Sequence, residues 1–133
     1  MTIFTKEQIT QALNERHSPE TQKRLSQGKV AIAGLGGLGS NVAFSLARIG
    51  VGHLHLIDFD VVDLTNLNRQ QYSLEHVGMY KTDALKAQLL HINPYLSIHT
   101  DCVRVNEQNL RELFLPDDII CEAFDQPEAK ATL

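Results

Sequence analysis

A short glycine-rich segment constrains the fold of this chain more than any other feature. The segment Gly34–Gly39 lies between an apolar run at 30–33 and a helix-like run that ends near Arg48. Glycine lets the backbone turn tightly and approach a ligand without a Cβ in the way. The start of the following helix offers unpaired N–H groups to an anion. The order strand, glycine turn, helix therefore predicts a phosphate-binding turn. The glycines assigned to it are Gly34, Gly36, Gly37 and Gly39.

Apolar runs along the rest of the chain predict alternating strands and helices. The expected strands are Lys29–Ala33, His53–Asp58, Ser97–Val103 and Ile119–Ala123. The expected helices are Gly39–Ile49, Leu74–Ile92 and Asn106–Leu115. This order predicts an α/β, Rossmann-like fold with a mostly parallel sheet of order 3-2-1-4 and helices on both faces. Ligands of such sheets bind at the carboxyl ends of the strands.

The chain divides into an N-terminal helical arm at 1–27 and one Rossmann-like domain at 28–133. In the arm, Thr5 with Gln8 fits a capping box, and Ser18-Pro19 fits the start of a second helix. The sequence stops just after the fourth strand, so we expect a sheet truncated at its C-terminal side. A second copy that covers the open edges is one solution, and we expect a homodimer.

Composition excludes several classes of function. The net charge of −4 argues against a nucleic-acid partner, which would require a basic surface. No apolar stretch approaches the length of a membrane span, and residues 1–6 lack a signal-peptide pattern. We therefore expect a cytoplasmic protein without a membrane partner. The two cysteines form no C-x-x-C pair and indicate neither a disulfide framework nor a structural zinc site.

A long polar stretch follows the second strand. Asp58 ends that strand, where a carboxylate commonly accepts hydrogen bonds from a ribose hydroxyl. The polar stretch then extends from Phe59 to Tyr72, at the mouth of the same crevice. An arginine brings a planar cation suited to phosphate oxygens, and amides add neutral donors. The alternative interpretation is a solvated surface loop. The candidate binding residues in and before it are Asp58, Asp60, Asn66, Arg69 and Gln70.

Two further charged residues are candidates for the same site. Lys81 lies in the first turn of a predicted helix, where a cation is electrostatically misplaced unless an anion is bound. Asp125 follows the fourth strand, where a carboxylate can hold Mg²⁺ against phosphates. Their alternatives are an ordinary surface lysine and a helix N-cap.

His53 and His55 alternate along the second strand and point to one face. Two histidines on one face are compatible with a metal pair, but the sequence gives no third ligand. Packing beneath a helix is the interpretation we adopt for them.

Taken together, these motifs resemble the ubiquitin-activating-enzyme superfamily. The chain is most similar to bacterial ThiF-type adenylyltransferases, which are relatives of MoeB. The resemblance covers about residues 28–126, and the combination of motifs is more specific than any one of them. The resemblance rests on the glycine turn, Asp58-Phe59-Asp60, Asn66-Leu67-Asn68-Arg69-Gln70, Lys81 and Asp125. The zinc-binding cysteine pairs of longer members are absent, so the chain resembles the shorter ThiF-type group.

The resemblance implies a function. Family members bind ATP and adenylate the C-terminal Gly-Gly carboxylate of a ubiquitin-like sulfur carrier, here a ThiS-like protein of thiamin thiazole synthesis. By matching motif, Arg69, Lys81 and Asp125 would be the catalytic residues, with Asp125 on Mg²⁺. An arginine from a partner's N-terminal arm completes the site in some members, and Arg16 is the candidate. The resemblance also implies a chain that extends beyond Leu133.

Two other classes stay open at this stage. The glycine turn and Asp58 alone also suit an NAD-dependent oxidoreductase fragment. The early stop at Leu133 suits a non-catalytic module that binds a nucleotide or a carrier. The phosphate-seeking residues after Asp58 favour ATP over NAD.

Overall fold

The computed structural model describes residues 3–124, in which strands and helices alternate after an N-terminal helical pair. The helices are α1 (Lys6–Asn14), α2 (Pro19–Gln27), α3 (Gly37–Ile49), α4 (Lys81–Ile92) and α5 (Leu110–Phe114). The strands are β1 (Lys29–Ala33), β2 (His53–Ile57), β3 (Ser97–Asp101) and β4 (Ile119–Glu122). Two short 3-10 turns, at Leu64–Asn66 and Leu74–His76, interrupt the polar stretch between β2 and α4.

The four strands form one parallel sheet of order β3-β2-β1-β4, which confirms the predicted fold class and strand order. Ala31 of β1 pairs with His55 of β2 and with Ile120 of β4. His55 in turn pairs with His99 of β3. Each crossover contains helix, because parallel neighbours need a long connection. All four carboxyl ends therefore meet at one edge, directly above the glycine turn.

Alternate residues of the central strands pack on opposite faces of the sheet. Val30 and Ile32 of β1 face a core built with α3 and α4. Ala31 and Ala33 face a smaller core, which includes Phe114 of α5. Burial on both faces explains why β1 is a continuous apolar run rather than an alternating one. The helices therefore cover both faces, as predicted.

Several predicted boundaries were wrong. The helix predicted at Leu74–Ile92 is a 3-10 turn followed by α4, because Gly78 has φ +90° and Tyr80 forms an isolated bridge with Val61. Helix α5 begins at Leu110 rather than Asn106 and spans only five residues. Helix α3 begins two residues earlier than predicted, inside the glycine segment. Local sequence patterns locate the ends of helices and strands less accurately than their centres.

The predicted caps of the N-terminal arm are confirmed. Thr5 and Gln8 form a reciprocal capping box at the start of α1. Ser18 caps α2 with Pro19 in its first turn. Between residues 3 and 124, no helix combines the length and the apolar character needed to cross a membrane.

Two glycines of the turn are required for different spatial reasons, and a third is not. Gly34 has φ +99°, and a Cβ added there would lie 2.7 Å from the Ala123 carbonyl oxygen. A Cβ added at Gly39 would collide with the Gly34 carbonyl oxygen. At Gly37 the nearest atom to an added Cβ is 3.8 Å away, which is ordinary contact. Close packing of α3 against β1 and β4 therefore depends on Gly34 and Gly39.

We expect Gly39→Ala to lower the free energy of unfolding by about 3 kcal/mol or more, because backbone atoms must move to admit the methyl group. Gly37→Ala is the matched control in the same turn. It should change stability by no more than about 1 kcal/mol, since the added methyl makes only ordinary van der Waals contact with Arg69. Urea denaturation of both variants measures the difference. Equal stability losses would contradict the packing described for this turn.

Candidate functional site

The glycine turn presents the start of α3 without a side-chain cap. Gly36 occupies the N-cap position, and no side chain within residues 3–124 caps the first turn of the helix. The N–H groups of this turn and the helix dipole together create a positive end that suits an anion. The atoms nearest to a Cβ added at Gly37 belong to Arg69 and lie 3.8–3.9 Å away.

Asp58 connects the end of β2 to the glycine turn. Its Oδ2 accepts a hydrogen bond of 2.7 Å from the Leu35 N–H, and its Oδ1 accepts one of 2.8 Å from the Asp60 N–H. Asp58 is only 8% exposed, so it is not a solvated acid at the end of the strand. Each oxygen keeps one further acceptor position. A ribose hydroxyl that reached this carboxylate would therefore find acceptors available.

The polar stretch after β2 is fastened to the first turn of α3. The Gln71 N–H donates to Ser40 Oγ at 3.2 Å, and Gln71 Nε2 donates to Asn41 Oδ1 at 2.6 Å. Asn41 Nδ2 lies 3.4 Å from the Arg69 carbonyl oxygen. From the other side, Gln88 Nε2 of α4 donates to the Gln71 carbonyl at 2.6 Å. The stretch is therefore an ordered part of the site.

Tyr72 adds a further contact between the polar stretch and the glycine turn. Its hydroxyl donates to the Leu35 carbonyl at 2.6 Å, and its ring is buried in the larger core. Burial, with the nearby negative charge of Asp58, raises the pKa of the Tyr72 phenol above its ordinary value of 10.0. Leu35 thus has its N–H held by Asp58 and its carbonyl held by Tyr72.

Arg69 lies beside the glycine turn. An added Cβ on Gly37 would be 3.8 Å from Arg69 Cγ, so the stem of this arginine packs against the turn. Arg69 is exposed, and within residues 3–124 its guanidinium makes only long contacts, to the Thr65 carbonyl at 3.4 Å and to Asn68 Oδ1 at 3.3 Å. A guanidinium so held can exchange these contacts for phosphate oxygens at little cost.

Gln70, the residue after Arg69, is buried, and one of its side-chain polar atoms lacks a hydrogen-bond partner among the described residues. Only 6% of the residue is exposed, and its Oε1 has no hydrogen-bond partner among the described residues. Leaving a buried acceptor unpaired costs about 1–3 kcal/mol, so such a group calls for an explanation. A ligand that supplies a donor would remove the cost.

Lys81 and Asp60 are brought together at the start of α4. The Lys81 N–H donates to the Asp60 carbonyl at 3.0 Å. The Lys81 residue is 6% exposed, which excludes the ordinary surface lysine. Its charge also helps to lower the pKa of the Asp63 carboxyl, after the larger effect of hydrogen bonds from Thr65.

The remaining predicted residues are placed differently. Asn66 Oδ1 accepts from the Asp63 N–H at 2.8 Å and so closes the 3-10 turn rather than facing outward freely. Arg16 follows α1 and is exposed. Asp125, predicted as the Mg²⁺ ligand, lies outside the described residues.

Sequence reasoning missed the residues that fasten the polar stretch. They are Ser40, Asn41, Gln71, Tyr72 and Gln88. The available signal was Ser40-Asn41 directly after the glycines, at positions where a helix start offers short polar side chains to a neighbouring loop. A second missed group is Arg104, whose guanidinium lies 4.5 Å from the centre of the Phe59 ring, next to Asp58.

The model of the ThiF family matches residues 8–133, nearly the whole chain. The chain belongs to the ThiF family. This confirms the resemblance that the glycine turn and the Asn66–Gln70 motif indicated. It also argues against the oxidoreductase alternative.

Curated relatives and solved structures agree with this membership. The chain is 38% identical over 113 residues to a molybdopterin-synthase adenylyltransferase of Haemophilus influenzae, covering 84% of this chain and 46% of that protein. It is 33% identical over 127 residues to a sulfur carrier protein adenylyltransferase of Thermus thermophilus, covering 92% and 47%. The E. coli tRNA N6-threonylcarbamoyladenosine dehydratase TcdA, solved in complex with ATP, superposes with a TM-score of 0.90. That structure is 26% identical, and the match covers 99% of this chain and 56% of TcdA.

The chain spans between about a quarter and about half of the length of the curated relatives it matches. Its match to the ThiF family includes the glycine turn, the polar stretch and Lys81. The relatives also have different named substrates, so family membership alone leaves the substrate to be argued from the site.

We expect Tyr72→Phe to lower the free energy of unfolding by about 1–2 kcal/mol near neutral pH, because the Leu35 carbonyl loses its partner. A raised folded-state pKa stabilises the protein only below the unfolded pKa of about 10. Above it, the unfolded chain ionises Tyr72 while the folded chain does not, so stability falls. The difference between wild type and variant should therefore shrink from about pH 8 to about pH 11. Urea unfolding across this range measures it, and a constant difference would contradict the buried phenol.

Proposed function

We propose that this chain binds ATP over the turn at Gly34–Gly39 and adenylates the C-terminal Gly-Gly carboxylate of a small ubiquitin-like sulfur carrier. The observation that carries the proposal is the polar stretch fastened to α3, which keeps Arg69 beside Gly37. The named activities of the Haemophilus and Thermus relatives support adenylation. The ATP complex of TcdA supports the nucleotide.

Residues of this chain fit ATP in three respects. The start of α3, which no described side chain caps, suits phosphate oxygens. Arg69 has a cation with only weak contacts to exchange. The unpaired acceptor of Gln70 suits a hydroxyl or amine of the nucleoside.

We assign roles by the position of each group. Arg69 and Lys81 would neutralise phosphate charge, with Asn66 and Gln70 as neutral donors or acceptors beside them. Asp58 and Asp60 would accept hydrogen bonds from the ribose hydroxyls. Because Asp58 also holds the Leu35 N–H, sugar and glycine turn would share one carboxylate. Arg16 would act only from a partner subunit of a homodimer.

The chemistry requires positioning and charge rather than acid–base catalysis. The carrier carboxylate is already ionised at neutral pH and needs no base. Its oxygen forms a bond to the α-phosphorus while the bond from that phosphorus to the bridging oxygen breaks, and pyrophosphate leaves with the electron pair. Arg69 and Lys81 would stabilise the charge that builds on the leaving group.

Asp125 is the proposed ligand of Mg²⁺. Mg²⁺ prefers one or two carboxylates together with phosphate oxygens, and Asp125 follows the strand next to β1. When bound, the ion would supply positive charge beside the phosphates.

The identity of the carrier protein is the most specific part of the proposal. We propose a ThiS-like protein and a role in thiamin thiazole synthesis, on the resemblance to shorter ThiF-type members. The relatives include proteins named for molybdopterin and for tRNA modification, so the carrier needs its own test. ATP–pyrophosphate exchange with carriers of each type, ending in Gly-Gly, distinguishes them.

We expect Arg69→Ala to slow ATP–pyrophosphate exchange by about 100-fold, the scale of losing one preorganised charge contact. Its melting temperature should stay near that of wild type, because the exposed guanidinium makes only long contacts. Arg48→Ala is the matched control, since Arg48 lies in the last turn of α3 and stacks on Phe44. Equal effects of the two substitutions on exchange would refute the role of Arg69.

We expect Asp125→Ala to depress exchange and to weaken the dependence of the rate on Mg²⁺ concentration, because the variant lacks the proposed metal ligand. Calorimetric titration with ATP and with NADH supplies the controls. ATP binding without exchange in the wild type would make the chain a nucleotide-binding module. NADH binding without ATP binding would overturn the proposed nucleotide.

A further inference from the structure

A second cluster of chemically active side chains lies on the α5 face of the sheet. His55 of β2 and His99 of the edge strand β3 are paired in register, and their ring centres are 4.8 Å apart. Asp101 lies two residues after His99 on the same face. Ligand atoms of His55, His99 and Asp101 all lie within 4.8 Å of one another.

Asp101 is the centre of this cluster. Its Oδ2 is 2.6 Å from His55 Nε2 and 3.0 Å from His99 Nε2. One carboxylate oxygen thus meets two imidazole nitrogens, which come from neighbouring strands. His53, the other histidine of β2, is not in this group, and the two ligands that accompany His55 both come from β3.

Asp117 determines which nitrogen of His55 is available. Asp117 Oδ2 is 2.7 Å from His55 Nδ1, and both side chains are only 5% exposed. Because Nδ1 faces Asp117, Nε2 is the nitrogen that faces Asp101. A metal ion bound there would replace the 2.6 Å hydrogen bond that joins Nε2 to Asp101 Oδ2. A histidine whose outer N–H is held by a carboxylate is also the usual arrangement around a protein-bound metal.

We propose that His55 Nε2, His99 Nε2 and Asp101 Oδ2 bind a divalent transition-metal ion, with Zn²⁺ as the best match. Two imidazoles and one carboxylate are typical zinc ligands, and three protein ligands leave a fourth position for water. His99 is 70% exposed, so the ion has a path from solvent. Tetrahedral ligands of zinc lie about 3.4 Å apart. The contacts of 2.6 and 3.0 Å between Asp101 Oδ2 and the two imidazoles would therefore lengthen to about that distance on binding.

The ion would join the edge strand β3 to β2 next to the proposed nucleotide site. The Asp58 N–H donates to the Asp101 carbonyl at 3.4 Å, so the metal would brace the strand end from which Asp58 projects. None of the three ligands is a residue proposed to bind the nucleotide or Mg²⁺. It rests on ligand geometry alone and does not depend on adenylation.

Calorimetric titration of the tag-free, chelator-treated chain with Zn²⁺ tests the proposal. We expect one saturable site and a higher melting temperature with zinc. His99→Ala should weaken binding at least tenfold while the apo chain stays folded, because the removed side chain is exposed. His91→Ala, an exposed histidine at the end of α4, should bind as wild type does.

Two further variants separate direct ligation from other causes. Asp117→Asn should weaken zinc binding by about 10–100-fold through loss of the carboxylate that orients His55. Cys102→Ser should leave binding unchanged, because the exposed thiol next to Asp101 is not a proposed ligand. Absence of saturable binding, wild-type affinity in His99→Ala, or loss of binding in Cys102→Ser would each overturn the site. The cluster would then be a His55 ring hydrogen-bonded between two aspartates.

Discussion

The rest of the site depends on one carboxylate at the end of β2. One carboxylate oxygen of Asp58 accepts a hydrogen bond from the Leu35 N–H, and the other accepts one from the Asp60 N–H. It thereby fixes the glycine turn on one side and the start of the polar stretch on the other. A buried charge is tolerated there because two N–H groups satisfy it directly. Without this carboxylate, the N–H groups of Leu35 and Asp60 would lose the acceptor that they share.

Neutral hydrogen bonds hold Gln71 of the polar stretch in place, whereas the guanidinium of this stretch is held more loosely. Ser40, Asn41 and Gln88 position Gln71 at short distances. Arg69, by contrast, makes only contacts longer than 3.2 Å. The scaffold is therefore preorganised, and the cation keeps its capacity to bind an anion. This division between rigid amides and an available guanidinium is what a phosphate-binding site requires.

The order of elements and the glycine turn were predictable because both are local in the sequence. Apolar runs of strand length and a G-x-G-G-x-G turn fix the parallel sheet and its order. The broken helix before α4 was not predictable from periodicity, because the cause is a left-handed glycine and a bridge to Val61. The hydrogen bonds from Ser40 and Asn41 depend on how a distant loop folds back. The partnership of His55 with His99 likewise depends on strand register.

The central claim is that ATP lies over the first βα turn, with the polar stretch beside it. Titration of the isotope-labelled chain with ATP, followed by amide chemical shifts, tests it most directly. The largest changes should fall on Leu35–Asn41 and Arg69–Gln71, and the amides of α1 should change least. Absence of saturable changes, or maximal changes away from the turn, would contradict the claim.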